Sequence, residues 1–282
     1  MQITEKYLII GNKNIYTRIA SPVTQAPASV IVLVHGIGDH SGRYLEWFDK
    51  FEDAGVAWVT ADLPGHGKSD GQQGLFNSMQ APFTIVEQLI TMAEIRFPKI
   101  PIILYGHSMG GNIVANFALR RHPKLDGMIL TSPWLGLVNS PPKWKIKFAE
   151  IAALFVPKMT MKTGIKREQL SCNQDALEKF EKDPLIHGKI TLGTFLLMYN
   201  AMRYVNNHAE YIQVPSLLIH GTSDPITDWK ATKKMALKIG RKCTFIPFEG
   251  MLHELHFDPN SDNVAKKIIE WIKSTVIHNY ES

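Results

Sequence analysis

The sequence has few cysteines and no long apolar run. Cys172 and Cys243 are the two cysteines of its 282 residues, too few for a disulfide framework and typical of a reducing compartment. Its apolar runs fall well short of the about 20 residues that a helix needs to cross a bilayer. The first residues lack the charged, apolar and small-residue regions of a signal peptide. We therefore expect a soluble, cytoplasmic protein without a transmembrane segment.

A block of positive charge is also missing. Lys and Arg number 31 against 26 Asp and Glu, a formal net charge of +5, and no zinc-finger or RNA-binding signature accompanies them, so we expect no nucleic-acid partner. Apolar residues make up 45% of the chain and charged residues 20%, which excludes a disordered or fibrous protein. At roughly 100–200 residues per domain, the length indicates one large domain or a domain with an insertion.

Short apolar runs alternate with amphipathic stretches along most of the chain. The alternation predicts an α/β protein with a mostly parallel central sheet and helices on both faces, and an antiparallel hairpin over residues 2–20 at the sheet edge. The predicted strands cover residues 29–35, 56–62, 101–105, 128–131, 216–220 and 244–248. The predicted helices cover residues 43–53, 83–97, 111–122, 228–239 and 263–276.

The alternation stops between residues 135 and 211. That stretch has no clear strand and contains two helical patterns, over residues 144–155 and 192–206. We expect a helical cap inserted over residues 135–211 into a core formed by residues 1–134 and 212–282.

Two segments match G-x-S-x-G, the strand-to-helix turn that presents a nucleophilic serine in some hydrolases. The segment centred on Ser108 follows an apolar strand and begins a helical pattern, as that turn requires. The segment centred on Ser69 leads instead into a polar, glycine-rich loop. Ser108 is therefore the predicted nucleophile, although a serine that caps a helix would have the same surroundings.

A serine nucleophile needs a base, and the base needs an acid to fix its tautomer. His253 follows the last predicted strand, where the chain order Ser, Asp, His places the base. His256 is the alternative, although it could equally be a packing or capping residue. Asp224 follows the strand over residues 216–220, at a carboxyl end where such an acid belongs, but an Asp before a Pro also forms turns.

An oxyanion hole requires two backbone N–H groups near the nucleophile. The glycine-flanked Ile37 follows the first core strand, and Met109 follows the predicted nucleophile, which are the two positions that supply these donors in such folds. An ordinary tight turn would use the same glycines.

Other chemistry-bearing motifs fail on their spacing. A phosphate-binding loop ending at Ser69 would need Gly where Asp62 stands, and a dinucleotide fingerprint would need Gly where Ser41 stands. His253 and His256 are one residue too close for the zinc motif H-E-x-x-H. We expect neither a metal nor a cofactor.

Six segments together resemble the monoacylglycerol lipase and lysophospholipase branch of the α/β-hydrolase superfamily, in the same order from about residue 28 to the end. They are HGIGDHSGRY (35–44), ADLPGHGKSDG (61–71), GHSMGGNI (106–113), DPLI (183–186), HGTSDPIT (220–227) and EGMLHELHFD (249–258). The resemblance implies Ser108, Asp224 and His253 as the triad, Ile37 and Met109 as oxyanion donors, and a helical cap over the acyl-binding cleft.

The predicted cap carries two apolar sets at helical spacing. Trp144 and Phe148 belong to the first set. Around its start lie three lysines, Lys143, Lys145 and Lys147. This set could form a lid helix that lines the acyl channel and makes weak contact with an anionic membrane surface, or a helix packed on the body. Phe195 and Met198 belong to the second set, which could face the same cleft or the core.

These features predict a cap-bearing serine hydrolase that cleaves carboxylic esters of medium- or long-chain acyl groups, with a small acyl ester or lipid as substrate. A peptidase or amidase of the same fold is the alternative, because the triad serves both acyl groups. A non-catalytic binding protein is a further alternative, against which the presence of all three triad side chains counts.

Overall fold

A twisted sheet of eight strands forms the centre of the computed structural model, which describes residues 1–281. The order across the sheet is β1-β2-β4-β3-β5-β6-β9-β10, and β7 and β8 form a separate hairpin. Along the chain the strands are β1 (Gln2–Ile10), β2 (Lys13–Ser21), β3 (Ser29–Val34), β4 (Val56–Ala61), β5 (Ile102–His107), β6 (Gly127–Thr131), β7 (Thr160–Lys162), β8 (Lys189–Thr191), β9 (Ser216–Gly221) and β10 (Cys243–Phe248).

Six neighbouring strands of the sheet, β4, β3, β5, β6, β9 and β10, run parallel to one another. The predicted hairpin of β1 and β2 lies at one edge, where β2 pairs antiparallel with β4. The helices are α1 (Leu45–Asp49), α2 (Gln80–Arg96), α3 (Met109–Arg121), α4 (Lys143–Ala153), α5 (Gln174–Lys182), α6 (Leu192–His208), α7 (Trp229–Ile239), α8 (Ser261–Trp271) and α9 (His278–Glu281). The predicted α/β class with a mostly parallel sheet is confirmed.

Both faces of the sheet are buried, which explains the continuous apolar runs of its strands. In β3, Val30 and Val32 pack into the core on one face, and Ile31 and Leu33 pack into the core on the other. Helices α2, α3 and α7 supply the first core, and α1 and α8 supply the second. Because the six strands run parallel, their carboxyl ends lie on the same side of the sheet, and the loops that follow them form a site there.

Two predicted helices differ from the structure at their ends. The helix expected over residues 43–53 is α1 with a 3₁₀ turn on each side, Ser41–Tyr44 and Glu52–Ala54, and the left-handed Gly55 (φ 67°) ends it. The helix expected over residues 263–276 is α8 followed by a π-helical segment, Ile272–Ile277. Apolar periodicity predicts a helix without distinguishing these variants of its last turns.

The segment between β6 and β9, where we expect a cap, holds α4, β7, α5, β8 and α6. The hairpin of β7 and β8 was missed because each strand has three residues, and α5 because Leu177 is its one buried residue. Helix α6 is fixed to the core through α3, since Asn112 Nδ2 donates to the Met198 carbonyl at 3.0 Å and Asn116 Nδ2 donates to the Ala201 carbonyl at 3.0 Å. The boundaries of core and cap stay a prediction. Within residues 1–281, no helix combines the length and the apolarity that crossing a membrane requires.

Candidate active site

Ser108 occupies the turn between β5 and α3. Its backbone (φ 54°, ψ −116°) is in a conformation that costs a residue other than glycine of order 1–3 kcal/mol. Glycines on both sides make the turn sterically feasible. A Cβ at Gly106 would lie 2.5 Å from the Gly110 carbonyl oxygen, and a Cβ at Gly110 would lie 2.1 Å from the Val34 carbonyl oxygen. The strain is thus imposed by the packing of α3 against the strand ends, and it presents the Ser108 side chain at the edge of the sheet.

Three side chains predicted from the sequence lie in one hydrogen-bonded row. The Oγ of Ser108 is 2.9 Å from Nε2 of His253. The Nδ1 of the same imidazole is 2.7 Å from Oδ2 of Asp224. All three residues are buried. Since the carboxylate accepts a hydrogen bond from the N–H at Nδ1, Nε2 is left free to accept the serine proton, which is the arrangement that nucleophilic catalysis requires.

Asp224 is held at both of its oxygens. Its Oδ1 accepts the backbone N–H groups of Ile226 at 2.8 Å and Thr227 at 3.1 Å, and its Oδ2 accepts the Thr227 hydroxyl at 2.7 Å and Nε2 of His220 at 3.0 Å. Burial acts to raise the pKa of Asp224, but the charge of His253 and the hydrogen bonds from His220 and His253 outweigh it and hold that pKa far below its ordinary range. The carboxylate is therefore ionised at any working pH.

The pKa of His253 is displaced in the opposite direction. Burial acts to lower it, but the charge and hydrogen bond of Asp224, with smaller contributions from Glu254 and Asp39, raise it above the ordinary histidine value. Within the part of the chain that the structure describes, no carboxylate accepts a hydrogen bond from the neighbouring His107 or His256, and burial lowers the pKa of His256 to about 3. His253 is the imidazole whose surroundings stabilise a positive charge.

Ser69 and His256, the alternatives to Ser108 and His253, make contacts that hold the fold together and do not belong to the row of Ser108, His253 and Asp224. The Oγ of Ser69 donates to the Asp62 carbonyl at 2.6 Å and accepts the Tyr16 N–H at 2.8 Å, which fixes a loop to β2. The ring of His256 stacks on Tyr44 with 4.7 Å between ring centroids. The structure therefore brings together the favoured residue of each pair.

The two predicted oxyanion donors lie beside Ser108. Met109 is the first residue of α3, and an N–H in the first turn of a helix has no partner within that helix. Ile37 lies in the loop after β3 and lines both cavities that contain Ser108. The preceding Gly36 packs against the serine, since a Cβ there would lie 3.3 Å from Ser108 Cβ.

Two cavities meet at Ser108. One, of about 180 Å³, has no charged side chain among the described residues of its lining, and the other, of about 280 Å³, is lined by charged and apolar side chains alike. The apolar cavity is lined by Trp134, Leu137, Ile190, Phe195 and Ile226. The charged cavity is lined by Asp39, Arg43, His107, Glu181, Asp183 and Glu254. Below, the first is called the apolar cavity and the second the charged cavity.

Arg43 organises the charged cavity. Its guanidinium donates to both oxygens of Glu254, at 2.7 and 2.9 Å, and to Asp39 at 3.1 Å. Asp39 also accepts the Tyr44 hydroxyl at 2.9 Å. Sequence reasoning missed this network because Arg43 and Glu254 are 211 residues apart, and the motifs that contain them give no sign that the two side chains meet.

One group of side chains has the composition of a metal site. Ligand atoms of His107, Glu254 and His256 lie within 4.8 Å of one another. Arg43 already occupies both oxygens of Glu254, and its positive charge opposes a cation at that position. The arrangement fits an ion-paired cavity wall better than a metal site.

The four predicted cap residues have different surroundings. Phe195 lines the apolar cavity. Met198 is fully buried in the core, which is one of the two surroundings that its helical spacing left open. Trp144 and Phe148 are 67% and 69% exposed on α4 and do not line either cavity at Ser108, and their contact with a membrane stays a prediction. Periodicity identified their common helix face but could not show what covers it.

Comparison with known proteins identifies the family. A family profile described as "Serine aminopeptidase, S33" matches residues 25–260. The chain belongs to this family of α/β-hydrolases. It is 32% identical to the monoglyceride lipase of Homo sapiens over 257 residues, which cover 88% of this chain and 84% of that protein.

Two further comparisons support this assignment. The α/β-hydrolase fold superposes on the crystal structure of Paleococcus ferrophilus monoacylglycerol lipase with a TM-score of 0.83 at 30% identity, over 93% of this chain and 99% of that one. An uncharacterized abhydrolase domain-containing protein of Dictyostelium discoideum is 28% identical over 255 residues, 89% of this chain, and the chain spans 27% of its length. The resemblance to the monoacylglycerol lipase branch is confirmed, and this α/β-hydrolase is a carboxylic ester hydrolase.

Proposed function

We propose that this hydrolase cleaves the ester of a medium- or long-chain acyl group, of the monoacylglycerol or lysophospholipid type, through Ser108, His253 and Asp224. The observation that carries the proposal is the 2.9 Å contact between Ser108 Oγ and His253 Nε2 at the junction of an apolar and a charged cavity. An ester of a fatty acid and a polar alcohol likewise has an apolar group on one side of its carbonyl carbon and a polar group on the other.

The mechanism follows from the order of the contacts. His253 takes the proton of Ser108 as the hydroxyl attacks the ester carbonyl, and Asp224 stabilises the imidazolium that forms. The backbone N–H groups of Ile37 and Met109 bind the negative oxygen of the tetrahedral intermediate, and losing one such donor typically costs about 2.7–4 kcal/mol. His253 then protonates the leaving alcohol, and afterwards it activates a water molecule that releases the acid from Ser108.

The linings of the two cavities assign the two halves of the substrate. The acyl chain fits the apolar cavity, where Phe195 and Trp134 lie with ring centroids 6.1 Å apart. The alcohol fits the charged cavity, where Arg43, Asp39 and Glu254 offer donors and acceptors to hydroxyl groups.

The charges favour an uncharged alcohol. Four carboxylates line the charged cavity against the single guanidinium of Arg43, which is already paired with Glu254 and Asp39. Arg167, outside the lining, pairs with Glu181, so the carboxylates still outnumber the guanidinium groups by four to two. A phosphate group would meet like charge there, whereas a glycerol group would meet acceptors for its hydroxyls. We therefore propose monoacylglycerol as the better substrate of the two types, and the name of the human relative supports this choice.

A matched pair of substrates tests the choice. We expect a higher kcat/KM for a 1-monoacylglycerol than for the lysophosphatidic acid with the same acyl chain, and no turnover of either by Ser108→Ala. A preference for the phosphate-bearing substrate would contradict the assignment of the charged cavity.

A peptidase or amidase is the second candidate, supported by the family description and by the carboxylates of the charged cavity, which could bind a substrate ammonium group. The p-nitrophenyl ester and the p-nitroanilide of the same acyl group separate the two activities. We expect turnover of the ester to dominate, and faster turnover of the anilide would favour the peptidase.

We also propose weak contact between the cap and a lipid surface. Seven large apolar side chains in and after α4 are 46–81% exposed and form what we call the lid patch: Trp144, Phe148, Ile151, Leu154, Phe155, Val156 and Met159. Lys143, Lys145 and Lys147 lie among its first residues, an arrangement typical of helices that lie on anionic membranes. A cytoplasmic location stays a prediction, which the free thiols of Cys172 and Cys243 support.

A further inference from the structure

Asp224 lies between two imidazoles, of which the mechanism above uses one. Nδ1 of His253 and Nε2 of His220 are 2.7 and 3.0 Å from the same oxygen, Oδ2. The Thr227 hydroxyl is a third donor to that oxygen, at 2.7 Å. The negative charge that Asp224 offers to His253 is therefore shared with His220.

The orientation of His220 is fixed by its second nitrogen. The side chain is fully buried at the end of β9, and its Nδ1 is 2.8 Å from Oγ1 of Thr232 in α7. Nε2 faces the Asp224 carboxylate, which can only accept a hydrogen bond, so Nε2 carries a proton and Nδ1 is left to accept the Thr232 hydroxyl. The Thr227 carbonyl is a second, longer acceptor for that N–H, at 3.2 Å. His220 is thus a preformed donor to the carboxylate.

We propose that His220 is a positioning residue of the triad, whose N–H sets how strongly Asp224 binds the imidazole of His253. The proposal rests on the proposed function of Ser108, His253 and Asp224. Each hydrogen bond to Oδ2 withdraws negative charge from it, which weakens its attraction for the positive form of His253. Without His220, that attraction grows and His253 retains its proton to a higher pH.

The effect acts through charge because Asp224 would stay in place without His220. The backbone N–H groups of Ile226 and Thr227 hold Oδ1, and the Thr227 hydroxyl holds Oδ2. This distinguishes His220 from a residue that only fills space in the core.

The other charged groups that act on His253 do not touch His220. Asp39 and Glu254 approach His253 from the charged cavity and raise its pKa, and the ring of His107 in β5 lies 5.0 Å from it between centroids.

Thr227 contacts both imidazoles, since its hydroxyl lies 3.3 Å from Nδ1 of His253 and 3.2 Å from Nε2 of His220. A change in the titration of His253 on substitution of His220 is therefore assigned to Asp224 together with the Thr227 hydroxyl that binds it.

Three variants test the inference. His220→Leu removes the donor at similar volume, His220→Gln retains an N–H donor, and Thr232→Val removes the hydroxyl that orients His220. The titration of His253 is followed by NMR in a Ser108→Ala background, and the pH profile of kcat/KM is followed on a p-nitrophenyl ester with Ser108 present. We expect His220→Leu to move the His253 titration and the acidic limb to higher pH by about half a unit or more. His220→Gln should leave both near the wild type, and Thr232→Val should move them in the same direction as Leu.

Either of two results would overturn the inference. In one, the folded His220→Leu variant titrates like the wild type or at lower pH. In the other, His220→Gln shifts as far as His220→Leu, which would assign the effect to packing. Thr232→Val provides the same comparison if the Leu variant does not fold. Failure of the proposed function has a different signature, since the wild-type protein would then lack esterase activity whatever stands at position 220.

Discussion

Nε2 of His253 lies 2.9 Å from Oγ of Ser108, although 145 residues separate the two in the chain. The contact forms because β5 and β10 belong to one parallel sheet, so the turn after β5 and the loop after β10 extend from the same edge. With Asp224 in the loop after β9, three strand ends contribute one side chain each, and the proposed catalytic role of His253 depends on both neighbours.

Asp224→Asn tests whether the tautomer of His253 matters for activity without disturbing the fold. An amide keeps the size of the carboxylate but cannot stabilise the imidazolium, and it can hold the histidine in the wrong tautomer. We expect a folded protein whose kcat is lower by about four orders of magnitude. The measurement is kcat on a p-nitrophenyl ester alongside a thermal unfolding curve. Activity near that of the wild type would place the acid elsewhere.

The pH dependence of kcat/KM follows from the direction of two pKa shifts. His253 must be neutral to act as a base, and its pKa is raised above the ordinary histidine value of about 6.5. Activity should therefore fall as the pH decreases through an apparent pKa above 6.5. Asp224, whose pKa is lowered, stays ionised over the same range and adds no second limb. An acidic limb centred well below pH 6 would be inconsistent with the pairing of His253 and Asp224.

Gly38 joins the loop of Ile37 to the cap. Its φ is +72°, a Cβ there would lie 1.9 Å from the His187 carbonyl oxygen, and its own carbonyl accepts the His187 N–H at 3.0 Å. Gly38→Ala should destabilise the protein and lower kcat, because the clash displaces the loop that carries Ile37, the proposed oxyanion donor.

Gly11→Ala is the matched control, with φ +63° and no atom within 4 Å of a Cβ. This variant has the backbone strain of a positive φ, about 1–2 kcal/mol, without any steric clash, and it should leave kcat unchanged. Unfolding free energies and kcat of both variants are compared, and equal effects at the two glycines would rule out a special role for the contact with His187.

The lid patch should matter for lipid surfaces and not for dissolved esters. We expect the double variant Trp144→Ser and Phe148→Ser to bind anionic vesicles several-fold more weakly, since it removes large apolar side chains from the patch. Hydrolysis of a soluble short-chain ester should be unaffected. Leu237→Ser removes an equally exposed side chain (74%) far along the chain in α7. If that control weakens vesicle binding as much, the lid patch has no special role.

The sequence predicted the parts of the site that follow from local rules. The strand before Ser108 and the helix after it distinguish this serine from Ser69, and the chain order of the motifs selects Asp224 and His253. The structure places these three side chains in hydrogen-bonding contact. Their catalytic roles stay a prediction until activity is measured.

The remainder depends on contacts that single-sequence patterns do not encode. The pairing of Arg43 with Glu254 joins residues 211 positions apart, and His220 becomes notable only when Asp224 is seen to accept its N–H. The apolar stripe of α4 has the same periodicity whether protein or solvent covers it, which is why the sequence left the surroundings of Trp144 and Phe148 open. It left Met198 between the cleft and the core for the same reason, and the structure shows that its face of α6 packs on the core.

Covalent labelling by a fluorophosphonate probe tests the central claim most directly, because the probe reports an activated serine without assuming a substrate. The wild-type protein should be labelled, His253→Ala should be labelled far more slowly, and Ser108→Ala should not be labelled, with Ser69→Ala as the control that retains wild-type labelling. Absence of labelling in the wild type, or undiminished labelling of Ser108→Ala, would contradict Ser108 as the nucleophile.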